Sequence, residues 1–356
     1  MMQKKLAGKA QTVLGIIDPD ELGFTLPHEH LLLDLTVRFK LMEQSVTART
    51  MAEKPVSADM AGWLRFHLFE NRDNLLLNDE ELAIREITRF KLAGGKSVVD
   101  VTNWGIGQDP HALRRMALST GLNIIMGTGY YTMDSGCADV LAEKSEEVIT
   151  EEIIQDIMEG TDGICAGIIG EIGADSWPLH DIEIKSLRAA VKAQRATGAG
   201  LTIHPGRLDD SPLQIVRILE KAGADMGRVI IEHIDRTAYS FDTMVEIAKA
   251  GCILEFDCFS MEGYYPRRYG VFDVPNDAGR VNYILRLIDM GYLNQVLIAT
   301  DTAMKARLTV YGGPGYAHIP ENVVPWMRAK GMSEETIRTL TVENPKRILT
   351  FISPSR

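Results

Sequence analysis

Side chains of the kind that bind transition metals stand at the ends of several short apolar runs in this sequence. Two of them, His28 and His30, lie two residues apart in one run, so a β-strand there would project both from the same face. The remaining candidates end later runs, and the full set is His28, His30, Glu171, His204, His233 and Asp301. Imidazole and carboxylate groups together suit zinc, manganese, iron or cobalt, and this set exceeds the ligands that one tetrahedral ion needs. The pattern therefore predicts two divalent metal ions, with zinc expected and manganese, cobalt or iron as the alternatives.

Glu171 has the chemistry of a bridging ligand, because one carboxylate can hold two cations about 3.5–4 Å apart. A water molecule held between those cations would lose a proton near neutral pH and attack an electrophilic centre. Asp301 could bind one metal and also take that proton, and His233, or Asp235 two residues on, could relay it to solvent. We therefore predict catalytic roles for Asp301 and His233. The alternative is that Glu171 is a structural residue beside an empty or mononuclear site.

A second set of side chains near the strand ends could bind the substrate: Arg207, Tyr130, Lys305 and Arg307. Arg207 lies three residues after His204, so its guanidinium could reach a carboxylate, sulfonate or phosphate, with a salt bridge to a neighbouring aspartate as the alternative. Lys305 and Arg307 stand in the last loop, where cations could bind an anionic substrate or form a solvated surface. Tyr130 could donate to a developing oxyanion, but one of Tyr130 and Tyr131 must point away from the lumen, and aromatic packing is the alternative.

The elements that must position these side chains repeat along the chain. Short apolar runs rich in β-branched residues alternate with amphipathic segments, which is typical of parallel strands covered by helices. Eight runs read as strands: Gly23 to Leu33, Lys96 to Asn103, Leu122 to Tyr131, Ile164 to Gly173, Gly200 to Pro205, Arg228 to Asp235, Cys252 to Phe259 and Gln295 to Asp301. Eight strands close a barrel, and the loops after strand C-termini build its active face. The sequence therefore predicts an α/β fold, a (β/α)8 TIM barrel, with the binuclear metal site at the C-terminal ends of the strands.

The amphipathic segments read as helices, and they span Asp79 to Leu92, Pro110 to Thr120, Ile182 to Ala196, Pro212 to Ala222, Phe241 to Ala250 and Val281 to Met290. A doubly wound open sheet is the alternative fold, but no GxGxxG turn follows any of the strand-like runs. We expect one domain over residues 1–356, with a partly helical insertion at 37–77 after the first strand. Gln11 to Phe24 reads as a small β-hairpin at the bottom of the barrel.

Composition narrows the class of partner. The chain has 356 residues, 45% of them hydrophobic and 24% charged, with a formal net charge of -11. Such a charge disfavours non-specific binding to nucleic acids or anionic membranes, so we expect a small-molecule substrate. No apolar run reaches the roughly 18 residues that a membrane span needs, and the four cysteines show no disulfide or zinc-finger spacing. These features favour a cytoplasmic protein with cysteines in the core or as free thiols.

Several motifs together resemble the phosphotriesterase family of the amidohydrolase superfamily. They are LGFTLPHEHLLLD, AGIIGEIG, LTIHPGR, VIIEHIDRT and LIATD, and YGGPGYAHI makes the chain most similar to the phosphotriesterase-related subgroup. The resemblance implies that His28, His30 and Asp301 bind the more buried metal. It also implies that His204 and His233 bind the more exposed metal, and that the protein forms a homodimer. The best-studied family members bridge their metals with a carboxylated lysine, whereas IIGEIG supplies Glu171, as in other members with this glutamate.

The resemblance implies a hydrolase in which a metal-bridged hydroxide cleaves a small ester or amide. The activities of the family include lactone and phosphotriester hydrolysis and the cleavage of N-acyl amino acids or acyl taurine. The subgroup and the basic residues near the site favour an anionic N-acyl amino acid or acyl taurine, with a lactonase or phosphotriesterase as the alternative. A ligand-binding protein with a vestigial metal site is the alternative of another class.

Overall fold

The computed structural model describes residues 6–237, 240–261, 263–264 and 273–355 of the chain. Its strands in chain order are β1 Ala10–Thr12, β2 Gly15–Ile17, β3 Thr25–Glu29, β4 Leu33–Asp34, β5 Leu76–Leu77, β6 Ser97–Asp100, β7 Asn123–Met126, β8 Ile169–Ala174, β9 Leu201–Pro205, β10 Val229–Ile231, β11 Ile253–Phe256, β12 Gly263–Tyr264, β13 Asp273–Val274 and β14 Val296–Ile298. Seven of the eight predicted runs contain one of these strands, shorter than the run itself, and β8 extends one residue beyond the run Ile164 to Gly173.

Eight parallel strands form the barrel. Three of them pair in the order β3-β6-β7 and five in the order β8-β9-β10-β11-β14. Backbone hydrogen bonds join the two sheets at both seams: Gly170 donates to Thr128 at 2.7 Å beside β8, and Asp301 donates to His28 at 3.3 Å beside β3. The prediction of a closed (β/α)8 barrel is therefore confirmed.

Alternation along the strands divides the core in two. One set of aliphatic side chains fills the barrel interior, and it comprises Val99, Val101, Ile125, Ile168, Ile230, Ile253 and Leu297. Their strand neighbours, such as Val98, Ile124 and Leu254, join the larger core beneath the helices. Burial of each such side chain contributes about 1.5–3 kcal/mol to stability. The packed interior therefore fixes the positions of the strands and of the residues at their C-terminal ends.

Helices cover the barrel, and in chain order they are α1 Val46–Glu53, α2 Ala61–Leu64, α3 Glu80–Leu92, α4 Pro110–Thr120, α5 Cys137–Glu143, α6 Glu146–Met158, α7 Asp181–Thr197, α8 Ser211–Ala222, α9 Ile234–Thr237, α10 Phe241–Lys249, α11 Asp277–Asp289, α12 Val324–Ala329, α13 Glu334–Arg338 and α14 Asn344–Leu349. All six predicted helices are present. Gly198 ends α7 at φ +76°, where a Cβ atom would come within 2.0 Å of the Ile352 carbonyl, so the turn there requires glycine. Helices α5 and α6 lie between β7 and β8, and the sequence patterns did not predict them.

The N-terminal hairpin closes the bottom of the barrel, as predicted. Strands β1 and β2 are antiparallel, and the buried Gln11 side chain donates to the carbonyls of Ile157 at 2.8 Å and Ala166 at 2.6 Å. Ala10, from the hairpin, and Ile348, from α14, pack against the interior aliphatic set. The hairpin and α14 thus cover the end of the barrel at which its strands begin. The longer loops lie at the opposite end, where the strands finish.

Residues 37–77 form the segment between the first barrel strand, β3, and the first covering helix, α3. The antiparallel pair β4–β5 closes this segment at its base, and a small core of Val56, Met60 and Leu64 lies inside it. Arg38 fastens it to the barrel loops, since its guanidinium contacts Asp134 at 2.8 Å and Asp175 at 3.1 Å. The segment therefore lies over the C-terminal end of the barrel.

None of the four cysteines, all of which lie in the described part of the chain and are buried, forms a disulfide. Among the described helices there is none whose length and apolar character would suit a membrane span.

Candidate metal centre

The barrel brings all six predicted ligands to one place, and all of them are buried. His28, Glu171 and His204 lie in β3, β8 and β9, while His30, His233 and Asp301 follow the ends of their strands closely. His233 and Asp301 have φ angles of +53° and +45°. Residues other than glycine rarely adopt this left-handed conformation, and it is found most often where function fixes the backbone.

One group of donors lies around Asp301. Its Oδ1 atom is 3.7 Å from His28 Nε2 and 3.4 Å from His30 Nε2. The same His30 nitrogen is 3.5 Å from Glu171 Oε1. These atoms surround one point and could hold one cation.

A second group lies around the other oxygen of Glu171. Its Oε2 atom is 2.7 Å from His204 Nδ1 and 3.6 Å from His233 Nε2, and the two ring nitrogens are 3.0 Å apart. Glu171 thus directs one oxygen to each group of donors, which is the arrangement that a bridging carboxylate requires.

The donor atoms fit a pair of cations. The His28 Nε2 atom is buried and has no hydrogen-bond partner within the described residues, and such an atom is costly unless something else binds it. The opposite ring nitrogens are occupied: His30 Nδ1 by Thr102 at 2.8 Å and His233 Nδ1 by Asp257 at 2.8 Å. Such hydrogen bonds fix the orientation of the rings and point the other nitrogen towards a metal.

Three buried acids at the floor of this centre escaped the sequence analysis: Glu232, Glu255 and Asp257. His28 Nδ1 lies 3.7 Å from Glu232, 3.2 Å from Glu255 and 3.5 Å from Asp257. The two acids on β11 and just after it stand two residues apart, like the histidines of β3, so the same spacing rule could have found them.

Electrostatics favour the ionised forms of Glu171 and Asp301. Burial acts to raise the pKa of Glu171, but the charge of His204 and its hydrogen bond outweigh burial and hold that pKa well below its usual range. For Asp301, burial is likewise outweighed, by the hydrogen bond to His30 and the charge of His28, and the pKa is lowered. Burial raises the pKa of Glu232 well above its usual range, and the charge of Glu171 raises it further.

A cavity of about 530 Å³ opens onto the ligands. Its wall contains apolar side chains, including Leu35, Phe69 and Ile106, together with Tyr131. Four arginines also line it, and these are Arg38, Arg207, Arg236 and Arg307. Arg236 reaches the ligands themselves, since its NH2 atom is 3.4 Å from His204 Nε2.

Two of the four predicted substrate residues, Arg207 and Arg307, line this cavity, and the other two do not. Tyr130 donates to Glu152 at 2.6 Å and accepts from Lys144 at 2.7 Å, because the strand end turns its ring outward. Its neighbour Tyr131 takes the inward position instead.

Lys305 pairs with Asp73 at 2.5 Å and so joins the last loop to the segment 37–77. Its ammonium group is therefore occupied in holding two loops together. Arg38 and Arg236 are the cavity arginines that the sequence analysis missed. Arg38 lies in the segment 37–77, outside the predicted runs, whereas Arg236 directly follows the predicted run that ends at Asp235 and was recognisable by the same rule as Arg207.

Asp235, suggested as a proton relay, points away from the cavity. Its carboxylate accepts hydrogen bonds from Arg280 Nε and from the backbone of Cys258 at 3.2 Å. Arg280 also contacts Asp277 at 3.1 Å, and Asp277 contacts His318 at 2.6 Å. This chain of buried charges joins the loops after β10, β11 and β14 through Asp235 Oδ2, while Oδ1 is buried without a hydrogen-bond partner among the described residues. Asp235 does not line the cavity, so the contacts do not support the proton relay suggested for it.

A sequence model of the phosphotriesterase family matches residues 8–349. An N-acetyltaurine hydrolase from Dictyostelium discoideum is 40% identical to this chain, over 97% of it and 98% of the relative. A phosphotriesterase-related protein from Nematostella vectensis is 39% identical, over 97% of this chain and 99% of the relative.

The solved structures include a resiniferatoxin-binding protein from Rhodobacter sphaeroides that is similar to this chain. It superposes with a TM-score of 0.91 at 36% identity, covering 97% of this chain and 96% of the other. Similarity thus extends over nearly the whole length of both chains.

Proposed function

The chain belongs to the phosphotriesterase family of metal-dependent hydrolases, and we propose that it cleaves the amide bond of a small anionic N-acyl compound of the acyl taurine or N-acyl amino acid type. Two divalent cations, zinc in the first place, would be held by His28, His30 and Asp301 on one side and by His204 and His233 on the other. Glu171 would bridge them. When bound, such cations activate water and polarise a carbonyl oxygen.

The cavity arginines carry this choice of substrate. A guanidinium presents paired N–H donors that match the oxygens of a carboxylate or sulfonate, and Arg207 and Arg236 line the cavity that holds the ligands. The other two cavity arginines already serve the protein, since Arg38 pairs with two aspartates and Arg307 donates to the Phe259 carbonyl at 2.7 Å and the Ser260 hydroxyl at 2.9 Å. A neutral lactone or phosphotriester offers no such anion. The apolar wall of Leu35, Phe69 and Ile106 is left for the acyl group.

The reaction adds water across the amide bond: the water oxygen bonds to the carbonyl carbon, the C–N bond breaks, and the nitrogen leaves as an amine. Asp301 is placed to take the water proton, because Oδ1 faces the histidines and Oδ2 remains for the proton. It would then return that proton to the leaving nitrogen.

Tyr131 is placed to donate a hydrogen bond to the carbonyl oxygen as charge develops on it. Burial and the charge of Glu171 raise the pKa of Tyr131 well above its usual range, so the ring stays a phenol that can donate. The contacts do not support the relay predicted for His233, because its Nδ1 atom is 3.9 Å from Asp301 Oδ2 and already donates to Asp257 at 2.8 Å. His233 would instead act as a metal ligand whose ring Asp257 orients.

The test is product release by the zinc- or manganese-loaded protein from a matched panel. N-acetyltaurine and N-acetyl amino acids are compared with N-ethylacetamide, which keeps the amide but lacks the anion, with several lactones and with an aryl dialkyl phosphate. We expect turnover of the anionic amides, and a fall of about 10–100-fold in kcat/KM on Arg207→Ala, since a hydrogen bond to a charged group is worth about 1.5–3 kcal/mol.

Preference for a lactone or the phosphate would keep the metal centre and reject the anionic substrate. Tight binding of panel members without any product release would instead favour the ligand-binding alternative. The homodimer and the cytoplasmic location stay predictions, which light scattering and cell fractionation can check.

A further inference from the structure

Glu232 stands beneath the metal centre with only one of its oxygens in use. It follows β10 directly, precedes His233 and is fully buried. Its Oε1 atom accepts a hydrogen bond from the Thr202 hydroxyl. Its Oε2 atom is buried, has no hydrogen-bond partner among the described residues and lies 3.8 Å from His233 Nε2.

A neighbouring acid shows how a purely structural buried glutamate looks in this barrel. Glu29 is equally buried, but its two oxygens accept hydrogen bonds from Thr300 and Thr302 at 2.7–3.0 Å. Leaving a buried carboxylate oxygen without a donor is unfavourable, so Glu232 Oε2 needs a partner of another kind.

The surroundings of Glu232 indicate that this partner is a cation. His28, Glu171, Glu232 and His233 each offer one ligand atom, and these atoms all lie within 4.8 Å of one another. The hydrogen bond from Thr202 to Oε1 also fits, because carboxylates that bind metals are commonly held by a hydrogen bond on the other oxygen.

We propose that Glu232 is a seventh ligand of the centre, binding a cation through Oε2 on the His233 side. The inference rests on the metal centre of the proposed function and adds a residue to it. Three carboxylates, Glu171, Glu232 and Asp301, would then face the four positive charges of two divalent cations. We expect that this added charge tightens the binding of one cation more than that of the other.

The experiment measures zinc binding rather than activity. Wild type, Glu232→Gln and Glu232→Asp are equilibrated with zinc buffers, and metal per chain is determined by mass spectrometry and by competition with a chelator. Glu86→Gln is the matched control, since Glu86 is also a buried, hydrogen-bonded glutamate but contacts Thr309 away from the centre. Circular dichroism of the metal-free proteins checks that each variant folds.

We expect two zinc ions in wild type and in Glu86→Gln, and a loss of about 10–100-fold or more in the affinity for one of them in Glu232→Gln. Glu232→Asp keeps the charge but is shorter, so it should also lose affinity if Oε2 binds the metal directly. Full affinity in Glu232→Asp would reduce the role of Glu232 to its charge and overturn the assignment.

Unchanged binding of both ions by Glu232→Gln would overturn the assignment while leaving the proposed function intact. Wild type that binds no zinc would overturn the metal centre itself. Should Glu232→Gln fail to fold, Thr202→Val tests the same point, because it frees Oε1 and should weaken one zinc ion while Glu86→Gln does not.

Discussion

Glu171 is the carboxylate that both groups of donors share. Its two oxygens lie 2.7 Å from His204 and 3.5 Å from His30, one on each side, so a single negative charge serves both groups of donors. Asp301 then supplies the separate carboxylate that can exchange a proton. Two acids with the same chemistry therefore take different roles because of what faces each oxygen.

Replacement of Asp301 by asparagine should abolish most turnover. The amide would keep the size of the side chain but could not take the proton of the attacking water, so we expect kcat to fall about 10²-fold or more. Steady-state kinetics with metal analysis in parallel will separate lost proton transfer from lost metal. Wild-type kcat in a metal-replete Asp301→Asn protein would contradict the role of Asp301.

The adjacent tyrosines provide a matched pair of variants. Tyr131→Phe removes the donor that lines the cavity and should lower kcat about 10²-fold, the usual effect of losing one oxyanion donor. Tyr130→Phe removes only the contacts to Glu152 and Lys144 and should cost about 1 kcal/mol of stability with kcat unchanged. Stopped assays of both variants measure kcat. Equal losses of kcat would contradict a catalytic role for Tyr131 and a purely structural role for Tyr130.

Functional residues could be predicted from the sequence where a strand end determines the direction in which their side chains point. HxH at His28 and His30 was recognisable because two residues on one strand face must share a side. Glu255 and Asp257 obey the same rule but stand in an apolar run whose interior reads as core. Arg38 was not predictable, since it reaches the cavity from residues 37–77, whose path depends on tertiary contacts.

At the scale of elements, the alternation of strands and helices could be predicted from the sequence. Both faces of each barrel strand are buried, one in the barrel interior and one under the helices, so each strand is a short apolar run. Helices α5 and α6 were missed because their segment is rich in acids, although Gly160, at φ +66° just after α6, gave a usable end signal. Their amphipathic faces become clear only from the buried Ile149, Ile153 and Ile157 of α6, which recur every four residues.

The N-terminal hairpin should contribute to stability and not to catalysis. Gln11→Ala leaves the carbonyls of Ile157 and Ala166 without their donor, which should cost about 1–3 kcal/mol. Urea unfolding measures this, and kcat/KM should stay within about twofold because the site lies at the opposite end. Leu14→Ala, at the exposed tip of the hairpin, is the control and should change neither quantity.

At the scale of the whole molecule, the metal centre joins six strands through buried charged groups. Without cations, the ionised Glu171 and Asp301 carboxylates would lie buried and close to the acids at the floor, which is unfavourable for the folded state. Bound cations would neutralise that charge and stabilise the folded barrel.

Removal of metal should therefore lower Tm as well as activity. Binding at 100 times the dissociation constant stabilises a protein by about 2.7 kcal/mol, so for a chain of 356 residues we expect Tm to fall by about 4 °C in the apo-protein. Calorimetry of chelated and zinc-restored samples measures the change. The same Tm in verified apo and zinc-loaded protein would argue against a metal centre among these residues.

The seal formed by the hairpin and α14 has a kinetic consequence. Because the described residues close the bottom of the barrel, we expect both products to leave through the C-terminal end, by which the substrate enters. The amine fragment keeps the sulfonate or carboxylate that the arginines would bind, whereas the acyl fragment leaves with a new carboxylate formed at the metal ligands and away from the arginine contact. We therefore expect the amine to depart last and to act as a competitive product inhibitor, with the acid a weaker and noncompetitive one.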